Sequence, residues 1–431
     1  MNDARFDRRG FLAGGAALSA TLLLPSSVRA QTLDASIVID ASHPMRRIPA
    51  TFAGLSFEAS LVGGGNHFTP DNDRLVAAVR ALGQGVLHIG GSSVDHTVYG
   101  NADLRALAAF SRATNWPVLL GLNLRESNPQ QTVGQAEDAA HALGNQLLAF
   151  EIGNEPDRYG SSDGSANSNA YRDYLSAYLK DAKGIASRVH GARFAGPGAS
   201  ARPSQWAVPF ASDARSHLAL LTQHYYRLGD PAAPDVTIER LLHGPDDARF
   251  ESDLGALRDA AASARVPYRI SQCAPASGNG KPGVGNTLAS ALWALDLCFR
   301  VASADGAGVN VRFVDTDVER APLYYGLQLF ARSANARLLP LRLGGSHPNL
   351  RAYAVARDDG SVLLTCINPD AIHAASVTVD GTGMTNATAA NLTGPRLAST
   401  ESVSITQSPL PLSGNPIEIA PASASLITLT R

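Results

Sequence analysis

A short apolar segment near the middle of the chain ends in a carboxylic acid. Residues 147–152 read Leu-Leu-Ala-Phe-Glu-Ile and suit a buried strand, and Gly153 breaks it before Asn154-Glu155-Pro156. Enzymes built on parallel barrels keep their chemistry at the C-terminal ends of the strands, where such a turn would lie. Pro156 restricts the backbone that aims Glu155. The pattern predicts a catalytic carboxylate at Glu155, although an isolated Asn-Glu-Pro is more often an ordinary loop.

The elements that would position this turn alternate between strand and helix. Helical periodicity covers residues 72–82, 171–189 and 287–302, and such alternation indicates a parallel sheet. The eight candidate strands are residues 51–58, 85–90, 117–122, 147–153, 193–198, 218–225, 267–272 and 308–313. Eight units favour an α/β fold of the (β/α)8 TIM-barrel type. A doubly wound open sheet is the rival, but no glycine-rich phosphate loop follows the first strand.

The pattern changes after about residue 338. Short β-like segments, at residues 351–356, 361–368, 375–380, 385–391 and 425–430, are separated by Gly, Pro and Asn. They predict a C-terminal antiparallel β-sandwich. We therefore divide the chain into a barrel domain (45–337) and a sandwich domain (338–431). The β-like residues 33–40 within the segment 31–44 are expected to join the sandwich.

Composition limits the partners and the location. The chain has 431 residues, 45% of them hydrophobic, and a net charge of −2, so it has no basic surface for nucleic acid. Residues 1–30 contain Asp7-Arg8-Arg9-Gly10-Phe11-Leu12 and then an apolar run, which predicts a twin-arginine export signal cleaved after Ala30. A membrane anchor is the alternative, but the run is short for a spanning helix. We expect a periplasmic or secreted protein with no membrane attachment after cleavage.

Three widely spaced cysteines, Cys273, Cys298 and Cys366, show no metal-type spacing. We expect buried thiols, while a disulfide between two of them stays open. No His/Asp/Glu group has ligand spacing along the chain, so neither a metal nor another cofactor is expected. The oligomeric state does not follow from the sequence.

The segment Phe150-Glu151-Ile152-Gly153-Asn154-Glu155-Pro156 resembles the acid/base signature of retaining glycosidases, and specifically glycoside hydrolase family 79, which contains β-glucuronidases and heparanases. The resemblance extends over nearly the whole chain after the signal. It implies a carbohydrate partner, namely a β-glucuronide or a glycan that contains uronic acid. It also implies that Glu155 is the acid/base and that Asn154 lies near the sugar 2-hydroxyl.

The strand at residues 267–272 ends in Ser271-Gln272-Cys273, where the family carries its nucleophilic glutamate. An amide has the shape of a carboxylate but is a far poorer nucleophile and cannot neutralise an oxocarbenium-like charge. His88 is a second departure, because the family usually has an arginine there that braces the nucleophile. The two departures are mutually consistent, since the arginine would lose its partner.

Other residues at the ends of strands could line the site. Glu58 closes the first strand and either binds a sugar hydroxyl or braces the mouth. Asp95 follows the second strand and fits best as a buried, satisfied polar residue. His224 and Tyr226 belong to a His-Tyr-Tyr run that resembles the family, and core packing is the alternative for both.

A glycine-rich loop, residues 276–286, leads into the helix that begins near Thr287. Free backbone N–H groups and a helix N-terminus suit an anion. By resemblance, this loop receives the uronic acid carboxylate through Gly278, Asn279, Gly280 and Gly283, with Lys281 adding charge. The alternative is a flexible connector.

The sequence leaves three functions open. The first is an exported family-79-like glycosidase whose activity is weak or lost because of Gln272. The second is a pseudoenzyme that binds such glycans without cutting them. The third is a glycosidase with an altered, inverting-like mechanism, in which Asp315 or Asp317 after the eighth strand activates water. Those two acids are otherwise part of a solvated loop.

Overall fold

The computed structural model describes residues 32–63, 67–126, 128–159, 170–243, 247–410 and 416–431. The export signal predicted at residues 1–30 lies outside these described residues. We number strands and helices in chain order. Strand β1 (Thr32–Ile39) precedes a closed barrel of eight parallel strands. The barrel strands are β2 (Ala53–Glu58), β3 (Val86–Gly90), β4 (Val118–Leu122), β5 (Leu147–Ile152), β6 (Phe194–Ala199), β7 (Leu218–Tyr226), β8 (Tyr268–Ala274) and β9 (Val309–Arg312).

The predicted TIM barrel is confirmed, and each predicted strand overlaps an observed one. The barrel strands are buried along almost their whole length because helices cover their outer face. These helices are α1 (Asp73–Ala81), α2 (Asn101–Thr114), α3 (Pro129–Leu143), α4 (Ala170–Arg188), α5 (Ala207–Asp213), α6 (Ile238–His243), α7 (Asp247–Ala264), α8 (Leu288–Ser303) and α9 (Pro322–Ala331).

Two further sheets pack together beside the barrel. Their strands are β10 (Arg337–Leu339), β11 (Leu341–Gly345), β12 (Arg351–Ala356), β13 (Val362–Asn368), β14 (Ala374–Asp380), β15 (Asn386–Thr393), β16 (Ser404–Leu410), β17 (Ile417–Ile419) and β18 (Ser423–Thr430). One sheet has the order β10-β12-β13-β18-β15-β16, and the other has the order β11-β1-β14-β17.

Strand β1 lies between β11 and β14 in the smaller sheet. It is antiparallel to β11 but parallel to β14, which differs from a wholly antiparallel sandwich. A strand that comes from before the barrel enters the sheet without a hairpin, so a parallel pairing is open to it. The alternation of exposed and buried residues along β1 fits one face on a core and one face in solvent.

Helix α8 lies between the barrel and the larger sheet, and nearly all of its residues are buried. Asp296 of this helix is 2% exposed and accepts hydrogen bonds from Arg351 Nη1 (2.6 Å) and Tyr353 Oη (2.8 Å) of β12. The ring of Tyr353 stacks on Phe299, with 4.6 Å between the ring centroids. One hydrophobic core includes barrel residues and Leu363, Ile367 and Leu426 of the larger sheet, so the two parts share a core.

All three cysteines are free and buried, in agreement with the sequence-based expectation. Within the part of the chain that the structure describes, no helix combines the length and apolar character needed to cross a membrane.

Candidate active site at the barrel mouth

Glu155 lies just beyond the end of β5, at the C-terminal mouth of the barrel. Its backbone is left-handed, with a φ of 44° and a ψ of 55°, and Gly153 two residues earlier has a φ of 87°. Glycine adopts this region without strain, but glutamate does so at a cost, and such backbone often marks a functional position. The turn places the Glu155 side chain, which is 11% exposed, against β7.

Three side chains hold the Glu155 carboxylate. Its Oε1 accepts hydrogen bonds from Tyr226 Oη (2.6 Å) and contacts His224 Nδ1 (3.0 Å), and its Oε2 lies 3.0 Å from Arg158 Nε. Burial alone would raise the pKa of Glu155, but His224, Arg158 and the Tyr226 hydroxyl outweigh burial and lower it. Glu155 is therefore a carboxylate near neutral pH, which is the proton acceptor rather than the proton donor of a general acid/base pair.

Gln272 of β8 faces the same hydroxyl group. Its Nε2 donates to Tyr226 Oη over 2.7 Å, and its Oε1 accepts from Ser56 Oγ of β2 over 3.2 Å. Burial and the neighbouring Glu155 raise the pKa of Tyr226, so the hydroxyl keeps its proton and donates it to Glu155. Glu155 Oε1 and Gln272 Nε2 thus contact one oxygen atom, at 2.6 and 2.7 Å, so these two atoms are no farther apart than the roughly 5–5.5 Å between the two carboxyl groups of retaining glycosidases.

A second layer of polar side chains lies beneath these residues. His88 of β3 contacts Ser56 Oγ through Nδ1 (2.8 Å) and Glu151 Oε2 of β5 through Nε2 (2.9 Å). His88 is fully buried, so it acts on the mouth through its neighbours, Ser56 on one side and Glu151 on the other. Ser56 and Glu151 are site residues that no motif in the sequence indicated. Glu151 could have been found because it is a charged residue inside an otherwise apolar strand. A buried charge needs polar partners, so its position indicates a polar cluster around it.

His224 stands between the two glutamates. Its Nδ1 faces Glu155, and its Nε2 lies 3.9 Å from Glu151 Oε2. Burial alone would lower the pKa of His224, but Glu151 and Glu155 outweigh it and raise this pKa to about 9. Burial likewise opposes ionisation of Glu151, yet His88 and His224 hold its pKa below the ordinary value. The layer beneath the mouth is therefore a charged network.

Asn154 and Asp95 are joined through Tyr159, which the sequence analysis did not single out. The Asn154 backbone N–H donates to Tyr159 Oη (3.0 Å), and that hydroxyl donates to Asp95 Oδ1 (3.0 Å). Asp95 is 4% exposed, and its burial raises its pKa although Arg125 lies 3.7 Å away. The Asn154 side-chain oxygen is buried without a hydrogen-bond partner among the described residues.

Glu58 at the end of β2 is already engaged within the protein. It accepts hydrogen bonds from the Ser93 backbone N–H (2.9 Å), the Ser93 hydroxyl (2.7 Å) and Arg312 Nη2 (2.8 Å). Burial favours the neutral form, but Arg312 and Ser93 outweigh it and lower the pKa of Glu58. Of the two roles considered for Glu58, these contacts favour bracing of the barrel mouth over binding of a sugar hydroxyl. Arg312 of β9 was another residue that the sequence analysis did not name.

Two cavities open at the mouth on either side of β8. The first runs along β7 and α7 and is lined by Arg158, Ser200, Arg202, His224 and Tyr226, among others, but not by Glu155 or Gln272. The second is formed by the glycine-rich loop and β9, and is lined by Gly278, Asn279, Gly280, Lys281, Asn286 and Arg312, among others.

Within the loop, Gly283 is not one of the residues that line the second cavity. Its backbone N–H donates to Asn286 Oδ1 (2.7 Å), a bond that closes the turn before α8. Lys281 Nζ lies 3.5 Å from the Ala233 carbonyl oxygen, a long contact that leaves it able to meet an anion.

Asp315 and Asp317 follow β9 and have partners of their own. Asp315 Oδ1 accepts the Asp317 backbone N–H (3.0 Å), while Asp317 lies 3.4 Å from both Arg74 Nη1 and Arg320 Nη1. Arg74 belongs to α1 on the outer layer of the barrel. These contacts direct Asp317 toward the outside of the barrel.

Several solved structures have a fold similar to that of this chain. A 4-O-α-L-rhamnosyl-β-D-glucuronidase from Fusarium oxysporum 12S, in complex with Rha-GlcA, is similar over 91% of this chain and 100% of its own, with 18% identity and a TM-score of 0.71. This chain shares the fold of that enzyme. A family 51 arabinofuranosidase from Xanthomonas axonopodis pv. citri gives 16% identity and a TM-score of 0.67, with 92% and 100% of the two chains covered. A family 44 xyloglucanase from Paenibacillus polymyxa gives 10% identity and 0.64, with the same coverage.

No family model and no curated protein matches the sequence.

Proposed function

We propose that this chain binds a uronic-acid-containing glycan, such as a β-glucuronide, at the barrel mouth, and that retaining hydrolysis there is weak or lost. Glu155 occupies the acid/base position and Gln272 the nucleophile position. The observation that carries the proposal is the Tyr226 hydroxyl, which donates to Glu155 and accepts from the Gln272 amide. The two positions are close enough for a retaining site, but only one of them holds a carboxylate.

The amide at residue 272 weakens both halves of the reaction. It cannot attack the anomeric carbon as a carboxylate does. It also lacks the negative charge that a glutamate would place close to Glu155. A neighbouring carboxylate raises the pKa of an acid/base residue toward neutrality, so Glu155 loses this effect. The lowered pKa of Glu155 agrees with this second loss. A bound glycan would therefore meet an ionised Glu155 that is poorly suited to protonate the leaving group.

The choice of a uronic acid rests on the resemblance to family 79 and on the chemistry of the glycine-rich loop. Lys281 and the backbone of Gly278 and Gly280 border one cavity, and Arg312 adds a second cation. Arg312 also pairs with Glu58, so Lys281 is the cation with more capacity for a ligand carboxylate. A neighbour in fold that is a glucuronidase complexed with Rha-GlcA is consistent with this choice.

The experiment compares the native protein with Gln272→Glu, using an aryl β-D-glucuronide for hydrolysis and calorimetry for binding of the same sugar. Restoring the carboxylate supplies a nucleophile and a like charge beside Glu155. We expect kcat/KM to rise by at least about 100-fold in the variant, since the loss of a covalent nucleophile costs several powers of ten. Both proteins should bind the sugar.

The control is Gln130→Glu on α3, which adds the same charge at the protein surface and should leave the rate unchanged. Adding Glu155→Gln to Gln272→Glu should abolish the gain. Native turnover at an ordinary enzymatic rate would overturn the assignment of Gln272. In that case an altered mechanism through Asp315 becomes the better hypothesis, since Asp317 is directed outside the barrel, and Asp315→Asn would have to reduce the rate.

Recognition of the uronate has its own test. Lys281→Met keeps the aliphatic stem and removes the charge, so we expect the affinity for glucuronate to fall by about 5–10-fold, as loss of one partly exposed ionic contact implies. The affinity for the matching glucoside should not change. An equal loss of affinity for both sugars, or no loss for either, would contradict the proposal that the loop binds the uronate carboxylate.

We also propose that the protein is exported by the twin-arginine route. The support is the Arg8-Arg9 pattern and the apolar run that follows it. Replacing both arginines by lysine should retain the protein in the cytoplasm, as cell fractionation would show. Continued export of this double variant would contradict the proposal.

A further inference from the structure

Three side chains with metal-binding atoms meet inside the barrel, beneath Glu155 and Gln272. They are His88 of β3, Glu151 of β5 and His224 of β7, and we call them the His–Glu–His cluster. Each is at most 1% exposed. They come from alternate strands, and side chains from alternate strands of a TIM barrel point into the same layer of its interior. This is why residues so far apart in sequence have ligand atoms within 4.8 Å of one another.

The outer hydrogen bonds of the two imidazoles prepare both for a metal. Ser56 Oγ donates its one proton to Gln272 Oε1. In its contact with His88 Nδ1 the hydroxyl must therefore accept, so His88 Nδ1 carries a proton. His224 Nδ1 likewise faces a Glu155 oxygen, which accepts a proton rather than donating one. Both rings therefore direct Nε2 toward Glu151. Metal-bound histidines show this pattern, with the other ring N–H held by a carboxylate or a hydroxyl.

The inner atoms of the cluster are not satisfied by hydrogen bonds alone. His224 Nε2 is 3.9 Å from Glu151 Oε2, which is beyond hydrogen-bond distance. Glu151 Oε1 and His224 Nε2 are both buried and have no hydrogen-bond partner among the described residues. An unpartnered carboxylate oxygen in a protein interior is costly, so a group that bridges these two atoms would stabilise the fold.

Distances and space fit a small divalent ion. A tetrahedral zinc ion with bonds of about 2.0–2.1 Å separates its ligand atoms by about 3.3 Å. The two measured separations from Glu151 Oε2, 2.9 Å to His88 and 3.9 Å to His224, lie on either side of that value. A Cβ atom at Gly90 would lie 2.4 Å from His88 Nε2, and one at Gly198 would lie 3.1 Å from the Glu151 carboxylate carbon. Glycine at both positions keeps this space open.

We propose that the His–Glu–His cluster is a zinc site, with His88 Nε2, His224 Nε2 and the Glu151 carboxylate as protein ligands. Two imidazoles and one carboxylate are a known zinc-binding set, and the ion would connect β3, β5 and β7. On binding, the protons on His88 Nε2 and His224 Nε2 leave for solvent and the metal takes their place, while both rings keep the proton on Nδ1. The proposal departs from the sequence-based expectation of no metal, because ligands on three separate strands leave no spacing signature.

The experiment uses the full chain, treated with a chelator and returned to metal-free buffer. We expect it to take up one equivalent of Zn²⁺ that survives gel filtration, and its Tm to rise on loading. With Co²⁺ in place of Zn²⁺, we expect the visible absorption of four-coordinate cobalt, bound by the three protein ligands and one water. X-ray absorption of the zinc-loaded chain should show two imidazole ligands, which an ion held at an exposed surface pair would not.

The variants separate this site from other His–Glu pairs. Glu151→Gln should weaken Zn²⁺ binding by at least about 10-fold. The matched control is Glu126→Gln, which breaks the exposed His96–Glu126 pair (2.7 Å) and should bind as the native chain does. If Glu151→Gln does not fold, the ligand count in the native chain decides. No uptake by the native chain, one imidazole ligand only, or a loss of binding in Glu126→Gln would overturn the proposal and leave the cluster as an ion pair of protonated histidine with Glu151.

Discussion

The single proton of the Tyr226 hydroxyl decides the electrostatics of the candidate active site. It is donated to Glu155, so the group at residue 272 has to donate to the hydroxyl oxygen, and an amide can do so whereas a carboxylate cannot. With glutamate at residue 272 the two carboxylates would compete for that proton, and one of them would become a weaker acid. One residue type therefore sets the protonation of its neighbour.

Asp181 of α4 gives a prediction at the residue scale. It is 4% exposed, and burial raises its pKa from 3.8 to about 6. The folded chain therefore binds more protons than the unfolded chain between those values, and Asp181 destabilises the fold progressively as pH rises through this window. Asp181→Asn should raise the free energy of unfolding by about 1–2 kcal/mol at pH 7.5 and by nothing below pH 3.8.

Urea unfolding at pH 7.5 and at pH 3.5 would measure this difference. The control is Asp173→Asn, at an exposed position of the same helix, where we expect no comparable gain. A gain for Asp181→Asn of equal size at both pH values would contradict the argument from burial.

At the scale of elements, α8 connects the barrel to the larger sheet. Its buried Asp296 faces Arg351 Nη1 and Tyr353 Oη of β12, and Arg300 Nη1 lies 3.7 Å away. A helix buried on both sides can hold a charge only if the neighbouring element brings the opposite charge. This contact orients β12 on the barrel more specifically than the apolar packing around it.

Asp296→Ala should lower the free energy of unfolding by about 3 kcal/mol, because it removes the carboxylate nearest to the partly buried Arg351 and leaves only Asp247 at 3.9 Å. Glu137→Ala is the control, since Glu137 forms an exposed pair with Arg188 (3.0 Å). That substitution should cost about 1 kcal/mol or less. Chemical denaturation of both variants provides the comparison, and similar losses would show that burial of the ion pair is unimportant.

At the scale of the whole molecule, the barrel and the larger sheet share one hydrophobic core, and the smaller sheet takes β1 from the chain before the barrel. The core continues from the barrel into the larger sheet, while a second core lies between the two sheets. Strand β1 precedes the barrel in sequence but completes the smaller sheet, so the sandwich cannot form from the C-terminal residues alone. We expect the barrel and the sandwich to unfold together.

The three buried thiols can measure this cooperativity. Cys273 and Cys298 lie in the shared core, and Cys366 lies in the core between the sheets. All three should become accessible to a thiol reagent at the same urea concentration if unfolding is two-state. Reaction of Cys366 at a lower concentration than the other two would show that the sandwich opens independently.

The sequence by itself determined the barrel, the position of Glu155 and the amide at residue 272. Strand and helix periodicity is local, and a turn after a buried strand marks the barrel mouth because all eight strands run the same way. The sequence also placed the amphipathic helices to within a residue or two, since their apolar faces repeat with the helical period.

Only the tertiary structure decided which side chains meet. Closure of the barrel puts His88, Glu151 and His224 in one layer, and Ser56 beside Gln272, although these residues lie on five different strands. It also turned Glu58 toward Arg312 and Asp317 toward Arg74. Contacts of this kind depend on strand register and barrel stagger, which are set by packing over the whole chain and leave no local pattern in the sequence.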